Sequence, residues 1–495
     1  MFVGAITNRP QFEQESRNIP SLRGAVGDAA IQTETYQSVQ KGLDCFAAAR
    51  NDGGFCNLFG LWNKGQNGSM IKIIHADELN TAHIVRGTAS AAVAESVSRI
   101  ITDVIERGDT ALRELTEKFD GCKLNTFEVT AAEIDAATAE VGSEFISIME
   151  RAAKNIKDFH SRQIRQGFVS TPGNGILLGQ RILPLSRVGQ YMPGGTAAYP
   201  STVLMNCIPA RLAGVGEIIV TTPPSKDGSV NAGILAAAKI AGADRVFKIG
   251  GAQAIAALAY GTETIPRVDK ITGPGNAYVA EAKRQVFGVV GIDMIAGPSD
   301  ILIITDENAD PSLVAADMLS QCEHGEDSVA VLVTDSAYIV DKVSSEIEKQ
   351  LPSLPREAIA RKSIDNNGKI IITDSLDSAF EISNELAPEH LEIFLDDPFS
   401  FLDKVKNAGS VFLGKNTPEA LGDYYAGPNH TLPTSGTARF SSPLSVDDFV
   451  KKTSFTFYTA DAIRSAGDDV MTFAEREGLS AHAESIRARL APRRD

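Results

Sequence analysis

The chain predicts an α/β protein with two doubly wound, Rossmann-like parallel-sheet domains, a helical N-terminal segment and a helical C-terminal tail. Three observations carry this. Short apolar runs alternate with segments of helical period in two series, one between residues 217 and 287 and one between 301 and 413. The spacing leaves room for crossover helices, so successive strands run parallel with helices on both faces. Glycine-rich loops, Gly250-Gly-Ala-Gln253 and Gly273-Pro-Gly-Asn276, stand where strand-to-helix turns are expected.

Residues 1–69 read differently from the rest, mixing Gln, Asn, Gly and Ser with little apolar periodicity. They lack the charged start and apolar core of a secretion signal, and their acidic residues count against a transit peptide. A regular pattern begins after Met70 with Ile71-Lys-Ile-Ile74, so Met70 is the expected functional start, with a disordered or artefactual extension before it. Helical period covers 92–107 and 134–159, followed by β-like runs at 175–179, 181–185 and 188–191. The first series has strands at 217–222, 245–249 and 268–272 and helices at 230–241, 252–260 and 277–287. The second has strands at 301–305, 329–334, 369–373, 391–394 and 410–413, with helices at 311–323, 338–350, 376–386 and 399–407 between them. Beyond Ser445 the chain is charged and helix-forming with no further strand expected. Such a tail is too small for its own core and must pack on the body or on a partner subunit. The expected domains are 70–187 plus 301–442, then 188–300, with 443–495 as the tail.

Composition excludes more than it identifies. At 495 residues, 43 % hydrophobic and 22 % charged, the chain is an ordinary globular sequence. A net charge of −16 argues against nucleic acid or an anionic membrane as partner. No run approaches the roughly 20 apolar residues of a membrane span. Five scattered cysteines, Cys45, Cys56, Cys122, Cys207 and Cys322, contain no C-x-x-C pair and fit free thiols in a reducing, cytoplasmic setting.

The chemistry gathers in a few places. Asp310-Pro311 reads as a helix start and Gly325 as its stop, which puts Gln321 and His324 on one face of the last turn, as half a metal site or as a solvated face. The two glycine loops present helix N-termini that suit a phosphate or pyrophosphate, with Gln253 and Asn276 in corresponding places. The loop Tyr191-Met-Pro-Gly-Gly-Thr196 is a third glycine loop with little side chain in the way. No G-x-G-x-x-G fingerprint is present. Of seven histidines, His75, His83 and His160 lack chemical neighbours, whereas His324, His390, His430 and His482 lie in dense clusters. Adjacent Glu389 and His390 supply two proton carriers. Gln321, His324, Asp423 and His482 together would give an oxygen and nitrogen metal shell. Spacing leaves open whether these meet.

Eight ordered motifs then carry a resemblance to the histidinol dehydrogenase family, from about Met70 to the end. They are Val188-Gly-Gln-Tyr-Met-Pro-Gly-Gly195, Gly250-Gly-Ala-Gln-Ala-Ile-Ala256, Gly273-Pro-Gly-Asn276, Gly297-Pro-Ser-Asp300, Ser320-Gln-Cys-Glu-His-Gly325, Ala387-Pro-Glu-His-Leu-Glu392, Gly422-Asp-Tyr-Tyr-Ala-Gly-Pro-Asn-His430 and Glu477-Gly-Leu-Ser-Ala-His482. Asp300 stands where some relatives carry glutamate. The resemblance implies oxidation of L-histidinol to L-histidine with two NAD reduced in turn. It implies Glu389 and His390 as the catalytic pair and one zinc ion per subunit on Gln321, His324, Asp423 and His482. His482 would come from the second subunit of a homodimer with shared active sites, across which the tail packs. Tyr191, Gln253 and Asn276 would contact NAD. Ser299, His430 and Glu477 would meet the substrate together with His390 and the four metal-site residues. Two rival chemistries fit the same residue types. One is zinc-dependent hydrolysis; the other is aldehyde oxidation through a cysteine nucleophile, Cys322 or Cys207.

Overall fold

A computed structural model describes residues 71–79, 90–194 and 199–491. The expectations for residues 1–69, and for Gly195 and Thr196, fall outside these. Along the chain the strands are β1 (Lys72–His75), β2 (Phe168–Gly173), β3 (Ile176–Pro184), β4 (Arg187–Tyr191), β5 (Glu217–Thr222), β6 (Arg245–Lys248) and β7 (Lys270–Thr272). They continue with β8 (Gly291–Ile292), β9 (Asp300–Thr305), β10 (Val329–Thr334), β11 (Lys369–Ile372), β12 (His390–Phe394), β13 (Ser410–Leu413) and β14 (Val450–Tyr458). The helices are α1 (Ala91–Arg107), α2 (Asp109–Asp120), α3 (Ala131–Val141), α4 (Ser143–His160), α5 (Pro200–Ala213), α6 (Ala232–Ala241), α7 (Gly251–Tyr260) and α8 (Ala277–Val286). After them come α9 (Pro311–Cys322), α10 (Ala337–Gln350), α11 (Glu357–Asn367), α12 (Leu376–Leu386), the single turn α13 (Glu419–Leu421), α14 (Ala460–Arg476) and α15 (Ser480–Leu490).

Two parallel sheets form the body. One runs β1-β11-β10-β9-β12-β13 and the other β6-β5-β4-β7-β8. Side chains alternate across each strand, so both faces need cover. In β9, Ile301 and Ile303 pack with Val314, Met318 and Ile339, while Leu302 and Ile304 pack on the opposite face with Ala379 and Phe380. The second sheet does the same, with Ile219 and Ile271 on one face and Ile218 and Val220 on the other. Both sheets are therefore doubly wound, as the alternation predicts. A third, antiparallel sheet, β14-β3-β2, stands apart.

Several expectations change. Helices α1 to α4 do not go with the first sheet, where the expected domain bounds put them, because Val97, Ile101, Leu112, Met149 and Ile156 join the two cores of the second. The tail was expected to hold no strand, yet β14 pairs along its length with β3. Its Val-Lys-Lys-Thr-Ser sequence has no clear alternation because the strand is mostly exposed. Helix α5 gave no signal because residues 202–210 are buried all round, which erases amphipathic period. The helix expected at 399–407 is a 3₁₀ segment, Pro398–Lys404.

Candidate active site

Chemistry-bearing residues of the first sheet collect at the amino ends of its strands. Asp300 opens β9, His390 opens β12 with Glu389 just before it, and Gln321 lies in the last turn of α9 on the way to β10. The usual rule puts ligands of doubly wound sheets at the carboxyl ends. At the carboxyl ends of the second sheet stand other expected residues, with Tyr191 closing β4, Gln253 following β6 and Asn276 following β7. The segment carrying Asp423 and His430 reaches a helix of the second sheet, since His430 Nε2 is 3.1 Å from Thr202 Oγ1 on α5.

The approach to Glu389 is set by an unusual backbone. Ala387 is fully buried and left-handed, with φ 48° and ψ 63°, and donates its N–H to Ser383 O at 2.8 Å. Such a conformation in a non-glycine residue is held by its surroundings and concentrates at functional loops. Glu389 and Asp300 then clasp each other: Glu389 N donates to Asp300 Oδ1 at 2.8 Å and Asp300 N donates to Glu389 Oε2 at 3.1 Å. Burial pushes the Glu389 carboxyl well above its usual range, with His390 opposing and Asp300 adding to the rise.

His390 is 2 % exposed. Its Nδ1 lies 3.0 Å from the Asp300 carbonyl, which only accepts, so Nδ1 carries a proton and Nε2 is the basic atom. That Nε2 is buried without a hydrogen bond, 3.6 Å from Asp423 Oδ1. Burial disfavours charge on the ring, but Glu419, Glu389 and Asp423 outweigh it and raise the pKa well above the usual value.

Glu419, which no motif singled out, joins these groups. It is 3 % exposed and lies 3.7 Å from His390 Nδ1. With the Gln321 amide oriented to satisfy its neighbour, its nitrogen donates to both Glu419 oxygens at 2.9 and 2.8 Å. The Gln321 oxygen is then the end left for a ligand. Asp423 sits four residues on, in a π-helical turn, Gly422–Ala426, of the kind frequent at functional sites. The spacing Glu419-x-x-x-Asp423 is a helix-face signal that could have revealed Glu419. Burial would raise the Asp423 pKa, yet His390, His430 and His324 together lower it. His430 Nδ1 is 2.9 Å from the Asp423 carbonyl, so this histidine also braces the turn.

The remaining expected residues divide. Helix α9 starts at Asp310 as predicted but ends at Cys322, which leaves His324 in an exposed turn, within electrostatic reach of Asp423. Gln321, His324 and Asp423 therefore lie in one region, whereas His482 and Glu477 are exposed on the α14–α15 hairpin. Ser480 is the first residue of α15 and gives no side-chain cap. Ser299 precedes β9 and its carbonyl accepts from Val329 N at 3.1 Å. Gln253 lies inside α7, while Asn276 is the N-cap of α8, so the two are not equivalent in place. Cys207 and Cys322 are buried, and burial pushes both thiols up to about 12, which argues against a cysteine nucleophile near neutral pH.

Among the described residues, His390, Glu419 and Asp423 offer ligand atoms within 4.8 Å of one another, a set able to hold a metal ion. The oxygen and nitrogen donors of Gln321, His324 and Asp423 beside the unpartnered His390 Nε2 fit zinc chemistry. No helix among the described residues is long and apolar enough to cross a membrane.

Comparison with known proteins gives the family. The family model for histidinol dehydrogenase matches residues 85–490. A histidinol dehydrogenase from Clostridium acetobutylicum is 54 % identical over 404 residues, covering 82 % of this chain and 94 % of that protein. One from Geobacillus kaustophilus is 53 % identical over 395 residues, covering 80 % and 93 %. The crystal structure of histidinol dehydrogenase from Elizabethkingia anophelis superimposes with a TM-score of 0.82 at 39 % identity, covering 86 % of this chain and 99 % of that one. On sequence and structure together, the chain belongs to the histidinol dehydrogenase family.

Proposed function

We propose that the chain oxidises L-histidinol to L-histidine in two successive hydride transfers to NAD, with Glu389 and His390 as proton carriers. The observation that carries this reading is the buried His390, its Nδ1 committed to Asp300 and its Nε2 free of hydrogen bonds beside Asp423. A zinc ion would be held by Gln321, His324 and Asp423, with His482 supplied by a second copy of the chain. NAD would be met by Tyr191, Gln253 and Asn276, and Ser299, His430 and Glu477 would line the substrate pocket. When bound, NAD supplies the hydride acceptor and zinc a fixed Lewis acid that grips nitrogen donors.

In the proposed sequence, His390 first gives up its Nε2 proton, and Nε2 then takes the proton of the alcohol as hydride leaves its carbon, giving the aldehyde. Glu389 then takes a proton from water as the water oxygen adds to the aldehyde carbon. His390, having passed its first proton to solvent, removes the proton of the resulting hydrate as the second hydride leaves, giving the carboxylate. A carboxyl raised toward neutral pH suits the exchange asked of Glu389.

A homodimer with shared sites follows from the same reading. The hairpin exposes Phe473 and Leu479, and β14 exposes Phe457. A groove of about 760 Å³, lined by Tyr458, Ile463, Ala466, Val470 and Ile486 among others, runs beside them. These surfaces support a tail covered by a second copy. A cytoplasmic location goes with the free thiols and the biosynthetic chemistry.

The test is direct. Histidinol added to the zinc-loaded protein with NAD should raise the absorbance of reduced nicotinamide, with about two equivalents formed per histidinol. No rise would sink the assignment. Glu389→Gln should complete the first hydride transfer and stall at the aldehyde. Equal loss of both steps would refute the division of labour.

A further inference from the structure

Beneath the cofactor loop of the second sheet lies an ion pair that the mechanism above does not use. Lys283 on α8 and Asp293, just past β8, have side chains 2 % and 1 % exposed and contact each other directly. Both also hold Gly273. Lys283 Nζ donates to Gly273 O at 3.0 Å, and Gly273 N donates to Asp293 Oδ2 at 2.7 Å. Asp293 Oδ1 accepts from Met294 N at 2.6 Å, which fixes the carboxylate itself. Each polar backbone atom of one glycine is thus gripped by a buried side chain of opposite formal charge.

The glycine could not be replaced. Its φ is +109°, and a Cβ there would meet Tyr191 O at 2.1 Å. On one side, Gly273 leads through Pro274 and Gly275 to Asn276, whose Oδ1 accepts from Tyr278 N at 3.0 Å and Val279 N at 3.2 Å. On the other, the Tyr191 hydroxyl accepts from Gly251 N at 3.1 Å, two residues before Gln253. Tyr191, Gln253 and Asn276 therefore share one backbone frame.

A buried ion pair is poor evidence for stability, because the cost of dehydrating two charges is close to what their attraction returns. An apolar pair would hold α8 against β8 as well, but it could not hold Gly273 N and O. We propose that Lys283 and Asp293 are positioning residues that lock the Gly273–Asn276 turn in the shape that receives a dinucleotide. This rests on the reading that the turn belongs to the NAD site.

The paired variant Lys283→Met with Asp293→Asn removes both charges at nearly constant volume and leaves no lone buried charge. The expected result is a Kd for NAD, measured by calorimetry, about tenfold or more above the parent, as for a displaced binding group. The KM for histidinol should move less than about threefold, because the pair acts on the cofactor turn alone. A folded variant whose NAD Kd stays within about twofold of the parent overturns the inference. If the pair does not fold, Asp293→Asn alone is read by the same outcomes. Hydrogen exchange of the unaltered protein separates the two readings. If NAD does not protect residues 251–254 and 273–278, the assignment of the cofactor site fails and the inference with it. Protection there with an unchanged Kd in the variant sinks the inference alone.

Discussion

Glu419 touches two members of the site at once, accepting from the Gln321 amide and lying 3.7 Å from His390 Nδ1. With the carboxylate in place, the Gln321 nitrogen is occupied and its oxygen is the end offered to a metal. Without it, the amide can turn and a buried donor loses its partner. Glu419→Ala should therefore weaken zinc binding by about 10- to 100-fold, measured by competition with a chromophoric chelator. Zinc affinity within about twofold of the parent would show that the amide orientation has no bearing on the metal. At this scale the sequence was informative where chemistry is written in unusual residue pairs, as in Glu389-His390. For Glu419 it offered only the four-residue spacing to Asp423, because by itself a glutamate after Pro418 looks like any solvated helix start until burial is known. Asp300 was legible only as a variable motif position. Its clasp with Glu389 depends on β9 and β12 being neighbours, which local sequence does not state.

Buried strands such as β9 and β10 were legible as continuous apolar runs bounded by turns, whereas α5, wholly buried, and β14, mostly exposed, were lost because neither shows a periodic face. The contact between α9 and β12 shows what such patterns leave out. Asp317 on α9 and Glu392 on β12 are two carboxyls within mutual electrostatic reach. Glu392 is 2 % exposed, its Oε1 accepts from Glu419 N at 2.8 Å, and its Oε2 is buried without a partner. Burial pushes Asp317 up to about 6 and Glu392 well above its usual range, so the pair prefers to keep a proton. The sign follows from linkage. The folded state binds more protons than the unfolded one, so this contribution to stability is full below about pH 4 and is lost as pH rises through about 6. Asp317→Asn should raise stability by about 1 kcal/mol at pH 8, since one pKa unit is about 1.4 kcal/mol before allowance for hydration. It should leave the thermal midpoint near pH 4 almost unchanged. A gain of equal size at both pH values would mean that the two carboxyls are not a titrating pair.

At the scale of the whole molecule the question is how the metal shell closes. Gln321, His324 and Asp423 share one end of the first sheet, while His482 and Glu477 are exposed on a hairpin that packs mainly on itself. A metal shell completed by a second copy reconciles the two, and it makes an arithmetic prediction. A Gln321→Ala chain and a His482→Asn chain are each defective alone. Unfolded together and refolded as a mixture, half of the dimers carry one chain of each kind. If the site is shared, one of the two sites in every mixed dimer has both intact donors and the other has neither. About a quarter of all sites should then recover zinc and activity. If the site is built within one chain, every site keeps one defect and nothing is recovered. Zinc content and reduced nicotinamide formation should rise together in the mixture, and the rise should vanish when the two variants are refolded separately and then combined.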